Sequence, residues 1–316
     1  MKPSILNLLK GMIIKREGNK LYSNENISPA SGVRKLLLTT KYEWLKHFRK
    51  RRLYITLFLS IAVLLLLGII LPSVMAGIAG FTFPGDSPAD FLGAGGGMFG
   101  PLSSIWFVIV IISIFFASDS MSTEFENKTG LLLFPNPLKR ETIVIGKYIA
   151  SMLMTTIILT VYYIITWVFT LYYYPSTAGN YILPFLASYG ICLLICAGLI
   201  ATTFMFSAIF NKAMVTSIVT FFLYLMIFQI VGQIFQMAVG QGNFQFEPWY
   251  LISYNAGLIA QIIAYPAEHI IETTGPFGTM YTVVPDILVG ILVTLIIYIV
   301  IPLIVSTLIY KRRDIS

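Results

Sequence analysis

Six separate stretches of this 316-residue chain are apolar over the length that a helix needs to cross a bilayer. A hydrocarbon core about 30 Å thick takes roughly 20 helical residues, and backbone groups in lipid must be satisfied within the helix itself. The stretches fall near residues 53–75, 101–118, 148–172, 183–210, 213–239 and 285–309, and their central parts hold no Asp, Glu, Lys, Arg or His. The chain is 57% hydrophobic and only 11% charged, where soluble domains carry about 25% charged residues. The pattern predicts an all-α polytopic membrane protein with six transmembrane helices. The second stretch is short and is expected to extend into the polar residues that follow it.

A seventh apolar stretch, Trp249–Tyr265, lies between Pro248 and Pro266. Charge decides against its crossing. Of the 21 Lys and Arg, thirteen lie in residues 1–52, four in 119–147, one at Lys212 and three at 311–313. Segments 76–100, 173–182 and 240–285 hold none, although they contain Asp86, Asp90, Glu247, Glu268 and Glu272. Lys and Arg accumulate in cytoplasmic loops, so six crossings with both termini in the cytoplasm, in the cell membrane, satisfy the partition. Trp249–Tyr265 is then a re-entrant or interfacial hairpin on the outer face, or an external loop with an apolar lining. Such a confined distribution of the +7 net charge also argues against nucleic acid as a partner.

The N-terminal residues divide in two. Residues 1–32 show little periodicity and are expected to be a loosely ordered cytoplasmic segment; being polar and basic, they do not read as a cleavable leader. Residues 33–52 carry a helical pattern, with Leu38, Tyr42, Leu45 and Phe48 on one stripe and Lys35, Thr39, Glu43, Lys46 and Lys50 on the opposite one. With Trp44 and the basic run Arg49–Arg52, this reads as an amphipathic helix in the inner membrane interface, in contact with lipid. Residues 53–316 form the six-span transmembrane domain.

The joint between the second and third spans, Asp119–Lys147, is longer than a connection needs to be and carries four acids and four bases. Asp119 or Ser120 can cap a helix whose early turns hold Glu124 and Glu126, near the positive end of its dipole. Gly130 can end that helix, and Pro135 and Pro137 forbid its continuation. A second helix then leads through Lys139 and Arg140 into the next span at Gly146 and Lys147. Arg140 and Lys147 are expected to meet inner headgroups or the loop's own acids.

Glu124, Glu126, Thr129, Gly130, Pro137, Arg140, Gly146 and Lys147, in that spacing, resemble the signature loop of ABC type-2 permeases. The likeness extends to the basic amphipathic segment, the six-span hydropathy and the Lys311–Ile315 ending. It implies the membrane half of an ATP-driven exporter of a hydrophobic or amphipathic cargo. It further implies a separate ABC ATPase subunit that holds ATP and Mg, and assembly as a homodimer or as a heterodimer with a paralogue. The coupling contacts would fall on Glu124, Phe125, Glu126, Lys128, Thr129, Gly130, Pro137 and Arg140. The fifth span resembles the cavity-lining helix of such dimers. Gln229, Gln233 and Gln236 share one of its faces at i, i+4 and i+7, and they could line a substrate path or act as glue between helices. Ser113 and Phe116 of the second span could form the facing wall.

Other chemistry is poorly supported. No GxxxxGK[ST] occurs, so the glycine-rich stretch Gly80–Gly100 reads as a flexible external loop and not as a phosphate cradle. The absence of ionisable groups within the spans weakens a gradient-driven transporter. Cys192 and Cys196, one helical turn apart, read as core thiols and not as soft-metal ligands. Glu268, His269 and Glu272 read as a solvated helix face, so no metal site is expected. No catalytic constellation is visible and the chain is not expected to be an enzyme alone. A non-transporting subunit that anchors or transmits force within an ATPase complex is the other reading that the residues leave open.

Overall fold

The computed structural model describes residues 32–70, 74, 87–93, 100–126, 140–240, 247–264, 270–275, 278–283 and 285–312. Six helical rods among them are long and apolar enough to cross a membrane. A short helix, α1 (Gly32–Phe48), precedes them. It breaks at Lys50, whose backbone is extended, and α2 (Arg51–Leu65) then begins the first span, which runs to Ile70. The second span starts with α4 (Ile105–Ala117) and passes through Ser118 into α5 (Asp119–Glu126). As the sequence suggests, it reaches into the polar joint, to Thr123. The third span is the single helix α6 (Arg140–Tyr173), and the fourth is α7 (Ile182–Ile209) with a 3-10 turn before it. The fifth joins α8 (Ala213–Phe222) to α9 (Phe228–Gly240), and the sixth joins α12 (Ile287–Val293) to α13 (Ile301–Arg312).

The fifth and sixth spans each contain a wide π-helical segment, Leu223–Ile227 and Thr294–Val300. In the sixth the cause is in the sequence. Pro302 has no amide to donate and its ring crowds the preceding turn, so the helix widens just before it. The main core lies between the second, third and fourth spans, around Ile109, Ile158, Tyr162 and Cys192. Cys192 and Cys196 are both buried there as free thiols.

Part of the expected external loop at Gly80–Gly100 is built into this core. Ser87 and Asp90 form a reciprocal cap on α3 (Pro88–Leu92), whose Phe91 and Leu92 are fully buried. The capping box satisfies two amides that would otherwise be orphaned. Gly93 closes α3 at φ 100°, a conformation that L side chains avoid.

Between the fifth and sixth spans lie two short helices, α10 (Ile252–Asn255) and α11 (Leu258–Gln261). They are held on three sides. The Ser188 hydroxyl of α7 donates to the Ile259 carbonyl at 2.5 Å, Ser253 donates to the Phe228 carbonyl at 3.3 Å, and the Ile252 amide donates to Tyr298 Oη at 3.4 Å. After them comes an antiparallel ribbon that hydropathy gives no hint of: β1 (Ile270–Gly275) pairs with β2 (Gly278–Val283). Glu272 therefore lies on a strand opposite Tyr281, and not on a helix face. The β-branched run Ile270, Ile271, Thr273, Thr274 and the glycines at the turn favour a hairpin. Glu268 and His269 lie outside the described residues.

Candidate functional site: the base of the polar joint

The helices converge where the second span ends. Helix termini leave amides without an intrahelical partner, and at the start of α5 a neighbouring span meets this need. The amides of Met121 and Ser122 both donate to Ser207 Oγ of α7, each at 3.1 Å. The Ser207 hydroxyl in turn donates to the Ser118 carbonyl at 3.0 Å, and the Ser122 hydroxyl reaches the same carbonyl at 2.7 Å. From α8, Ser217 donates to Ser118 Oγ at 2.9 Å, and from α6, Ser151 donates to the Phe116 carbonyl at 3.1 Å. Ser306 of α13 lies 3.8 Å from Met121 Sδ. A small apolar cluster that includes Met121, Phe204, Ala208 and Tyr310 surrounds the knot. Serine suits this place because its small side chain lets backbones approach while it bonds across helices.

A buried cation completes the base. Lys147, on α6, is 1% exposed. Its Nζ donates to the Ser120 carbonyl at 2.6 Å and lies 3.7 Å from Glu43 Oε1 on α1. Glu43 also pairs with Lys46 at 3.4 Å. Burial pushes the Glu43 carboxyl up, but Lys147, Lys46 and His47 more than offset this and hold it below its ordinary value of 4.5. Two close approaches seat α1 on this site. A Cβ at Gly146 would lie 2.9 Å from Thr39 Cγ2, and the His47 ring meets Phe116 edge-on at 5.6 Å.

Helix α1 thus turns a mixed face toward protein, with Thr40 and His47 buried, Glu43 paired, and Trp44 and Phe48 packed on the main core. Its apolar Leu38, Tyr42 and Leu45 remain exposed on the chain. Thr39 and Glu43, on a stripe that water would solvate in an isolated helix, here meet protein.

Arg140, like Lys147, has partners that the sequence does not suggest. Arg140 Nη1 donates to the Lys311 carbonyl at 2.8 Å and the Tyr310 carbonyl at 3.3 Å. It thereby covers the carbonyls that end α13, where a cation also favours the negative end of the dipole. Beside it, Lys311 pairs with Glu141. The start of the third span is tied to the end of the sixth.

Of the remaining candidates, Glu124, Phe125 and Glu126 belong to α5, but their side chains lie outside the described residues, as do Lys128, Thr129, Gly130 and Pro137 entirely. Gln229 is half-buried, whereas Gln233 and Gln236 are exposed on the chain. Ser113 and Phe116 are buried in the core. The two proposed walls of a path therefore do not share a surface within one chain. The sequence pattern assigns no role to Ser118, Ser207 and Ser217, and it places Glu43 only on the polar stripe of an interfacial helix. Their only signal was small hydroxyls near the ends of apolar runs and one acid on a basic helix.

A family model described as ABC-2 family transporter protein matches residues 39–315. The chain belongs to that family. No curated protein matches it. The match takes in most of α1, all six spans and every residue of the serine knot. As an ABC-2 protein with six helices able to cross a bilayer, it is a multi-pass membrane component of ABC transport.

Proposed function

We propose that this chain is the permease subunit of an ATP-driven exporter, moving a hydrophobic or amphipathic cargo outward with the help of a separate ABC ATPase. ATP and its Mg²⁺ are bound and hydrolysed on that partner. The observation that carries the reading is the base of the joint 119–147. There residues 116–122 are bonded or packed, through backbone or side chain, to the third, fourth, fifth and sixth spans and, through Lys147, linked to α1. A push on α5 has no slack to absorb it. The partner sits on the cytoplasmic side, where the Lys and Arg accumulate, and α1 lies in the inner interface with Leu38, Tyr42 and Leu45 toward lipid.

The same reading makes Trp249–Tyr265 a re-entrant segment. Its contact with Tyr298 lies eleven residues into the sixth span, about 16 Å from that end at 1.5 Å per residue. Short, interrupted helices at such depth are tolerated where they pack on protein, as α10 and α11 do. The exposed Gln233 and Gln236 belong to a face that a second copy, or a paralogue, covers to close the path.

Reconstitution tests the whole. The chain is purified with an ABC ATPase subunit, its stoichiometry is measured by mass, and cargo movement is followed in proteoliposomes with and without ATP. Two permeases, two ATPases and ATP-dependent movement are expected. Stable assembly with ATP hydrolysis but no movement of any amphipathic probe would favour a force-transmitting or anchoring subunit.

A further inference from the structure

At the end of the bundle away from the joint, the start of the sixth span and the segment before α10 enclose a cavity of about 360 Å³. That volume is at the lower end of what small-molecule sites offer. Two kinds of group line it. Glu247 and Asp286 supply carboxylates, and Trp249, Tyr254, Pro285 and Val289 supply apolar and aromatic wall. The Tyr254 hydroxyl donates to Glu247 Oε1 at 2.8 Å, which fixes the carboxylate and the phenol ring relative to each other. Asn255, 1% exposed, donates to the Trp249 carbonyl at 3.0 Å and so holds the turn that carries the indole. The indole itself is 48% exposed. Asp286 Oδ1 accepts the Leu288 amide at 3.1 Å as the N-cap of α12, and its side chain remains exposed.

The chemistry of the lining is selective. Among the described residues no Lys, Arg or His lines the cavity, and segments 76–100, 173–182 and 240–285 contain no Lys or Arg at all. Acid-rich surfaces concentrate cations. A small hard cation needs a shell of oxygen ligands, and the described residues hold no group of three or more His, Cys, Asp or Glu that could provide one. An alkylammonium ion is served better. Its charge is diffuse and weakly hydrated, it is attracted to the faces of Trp and Tyr, and carboxylates neutralise it.

We propose that this cavity is a binding site for an organic ammonium cation, reached from the side of the membrane opposite the joint. Glu247 and Asp286 carry the charge recognition, and Trp249 and Tyr254 provide the aromatic wall. The ammonium can belong to a free solute or to the headgroup of a lipid, since both present the same group. Binding requires neither the ATPase nor transport, so its success or failure is separate from that of the exporter reading.

The test is calorimetric titration of the purified full chain, in nanodiscs, with tetraethylammonium chloride against sodium chloride at equal ionic strength. Saturable binding is expected, weakened tenfold or more in Glu247→Gln/Asp286→Asn, where Asn keeps the helix cap. Trp249→Leu, at a half-exposed position, is expected to weaken it several-fold with an unchanged unfolding midpoint. Titration in phosphatidylglycerol discs with and without soluble glycerophosphocholine, which carries the headgroup's ammonium at no net charge, separates the sources. Weaker binding in its presence identifies the headgroup as a competitor, and equal binding identifies a free solute; either result supports ammonium recognition. The proposal is overturned if the wild-type chain shows no saturable binding, if both variants bind like wild type, or if Ca²⁺ displaces tetraethylammonium at equal concentration.

Discussion

The second and fifth spans have nearly the same mean hydropathy, 2.0 and 2.2, yet 82% of the first is buried within the chain and 17% of the second. Hydropathy measures preference for lipid over water. It says nothing about preference for protein over lipid. What separates the two spans is their minority residues. The second ends in Ser118, Ser120 and Ser122, small groups that let the third, fourth, fifth and sixth spans close on it. The fifth exposes Phe222, Met226, Ile230, Ile234 and Met237, with Gln233 and Gln236 among them. An amide facing hydrocarbon without a hydrogen-bond partner is costly. An exposed face that is apolar except for such amides fits a surface that another protein chain covers.

The strongest way to break this contrast is at the buried end of the second span. Lys147→Met removes a charged donor from the Ser120 carbonyl and leaves Glu43 with Lys46 and His47. Hydrogen bonds to charged groups contribute about 1.5–3 kcal/mol. The unfolding midpoint in detergent should fall well below that of Lys46→Met, which disturbs only the more exposed pair. Equal midpoints would mean that Lys147 does not secure the second span.

The fifth span should respond in the opposite manner. Replacing Gln229, Gln233 and Gln236 with Leu forfeits about 0.6 kcal/mol per interhelical contact, or roughly 2 kcal/mol across three such contacts. That loss should appear in assembly and not in the chain's own folding. Mass measurement should show a shift toward single copies, while the unfolding midpoint of the isolated chain stays put. A lower midpoint with intact dimers would place the glutamines inside the chain after all.

The same contrast explains what could be read before the structure. Span positions were legible because lipid demands uninterrupted apolar length: the fifth was expected at 213–239 and is found at Ala213–Val239. Their neighbours were not legible. Nothing in a list of apolar residues says that Ser207 meets the amides of Met121 and Ser122, because that depends on which helix lies alongside. The packed polar side of α1 was hidden for a related reason. Glu43 looks solvated until Lys147, a hundred residues on, is brought beside it. The ribbon of β1 and β2 carried a local signal, β-branched residues beside Gly275 and Gly278, which mean hydropathy does not register.

Ser207→Ala sharpens the reading of the second span at a smaller scale. It withdraws one acceptor from two amides at the start of α5, and losing such a cap costs about 1 kcal/mol. Amide exchange at Met121 and Ser122 should quicken while exchange in the middle of α9 is unchanged. Unaltered exchange at both amides would show that the α4–α5 junction satisfies them without the fourth span.

The smallest effect concerns α1, where the polar side of one helix meets the buried end of another. The Glu43 carboxyl is held below its ordinary 4.5, chiefly by Lys147 and Lys46 acting against burial. A group whose folded-state pKa is depressed contributes stability that is present above its unfolded value and lost as pH falls through the folded one. The difference in unfolding midpoint between wild type and Glu43→Gln should therefore be constant from neutral pH down to about 4.5 and shrink below it. It should be modest, since Glu43 retains some exposure and partly exposed pairs contribute about 0.2–1 kcal/mol. In Lys147→Met the same difference should nearly vanish, because the partner that draws α1 against α6 is gone. If Glu43→Gln behaves identically in both backgrounds and at every pH, α1 is seated by Gly146, Thr39 and His47 through shape alone, and the charge across it is incidental.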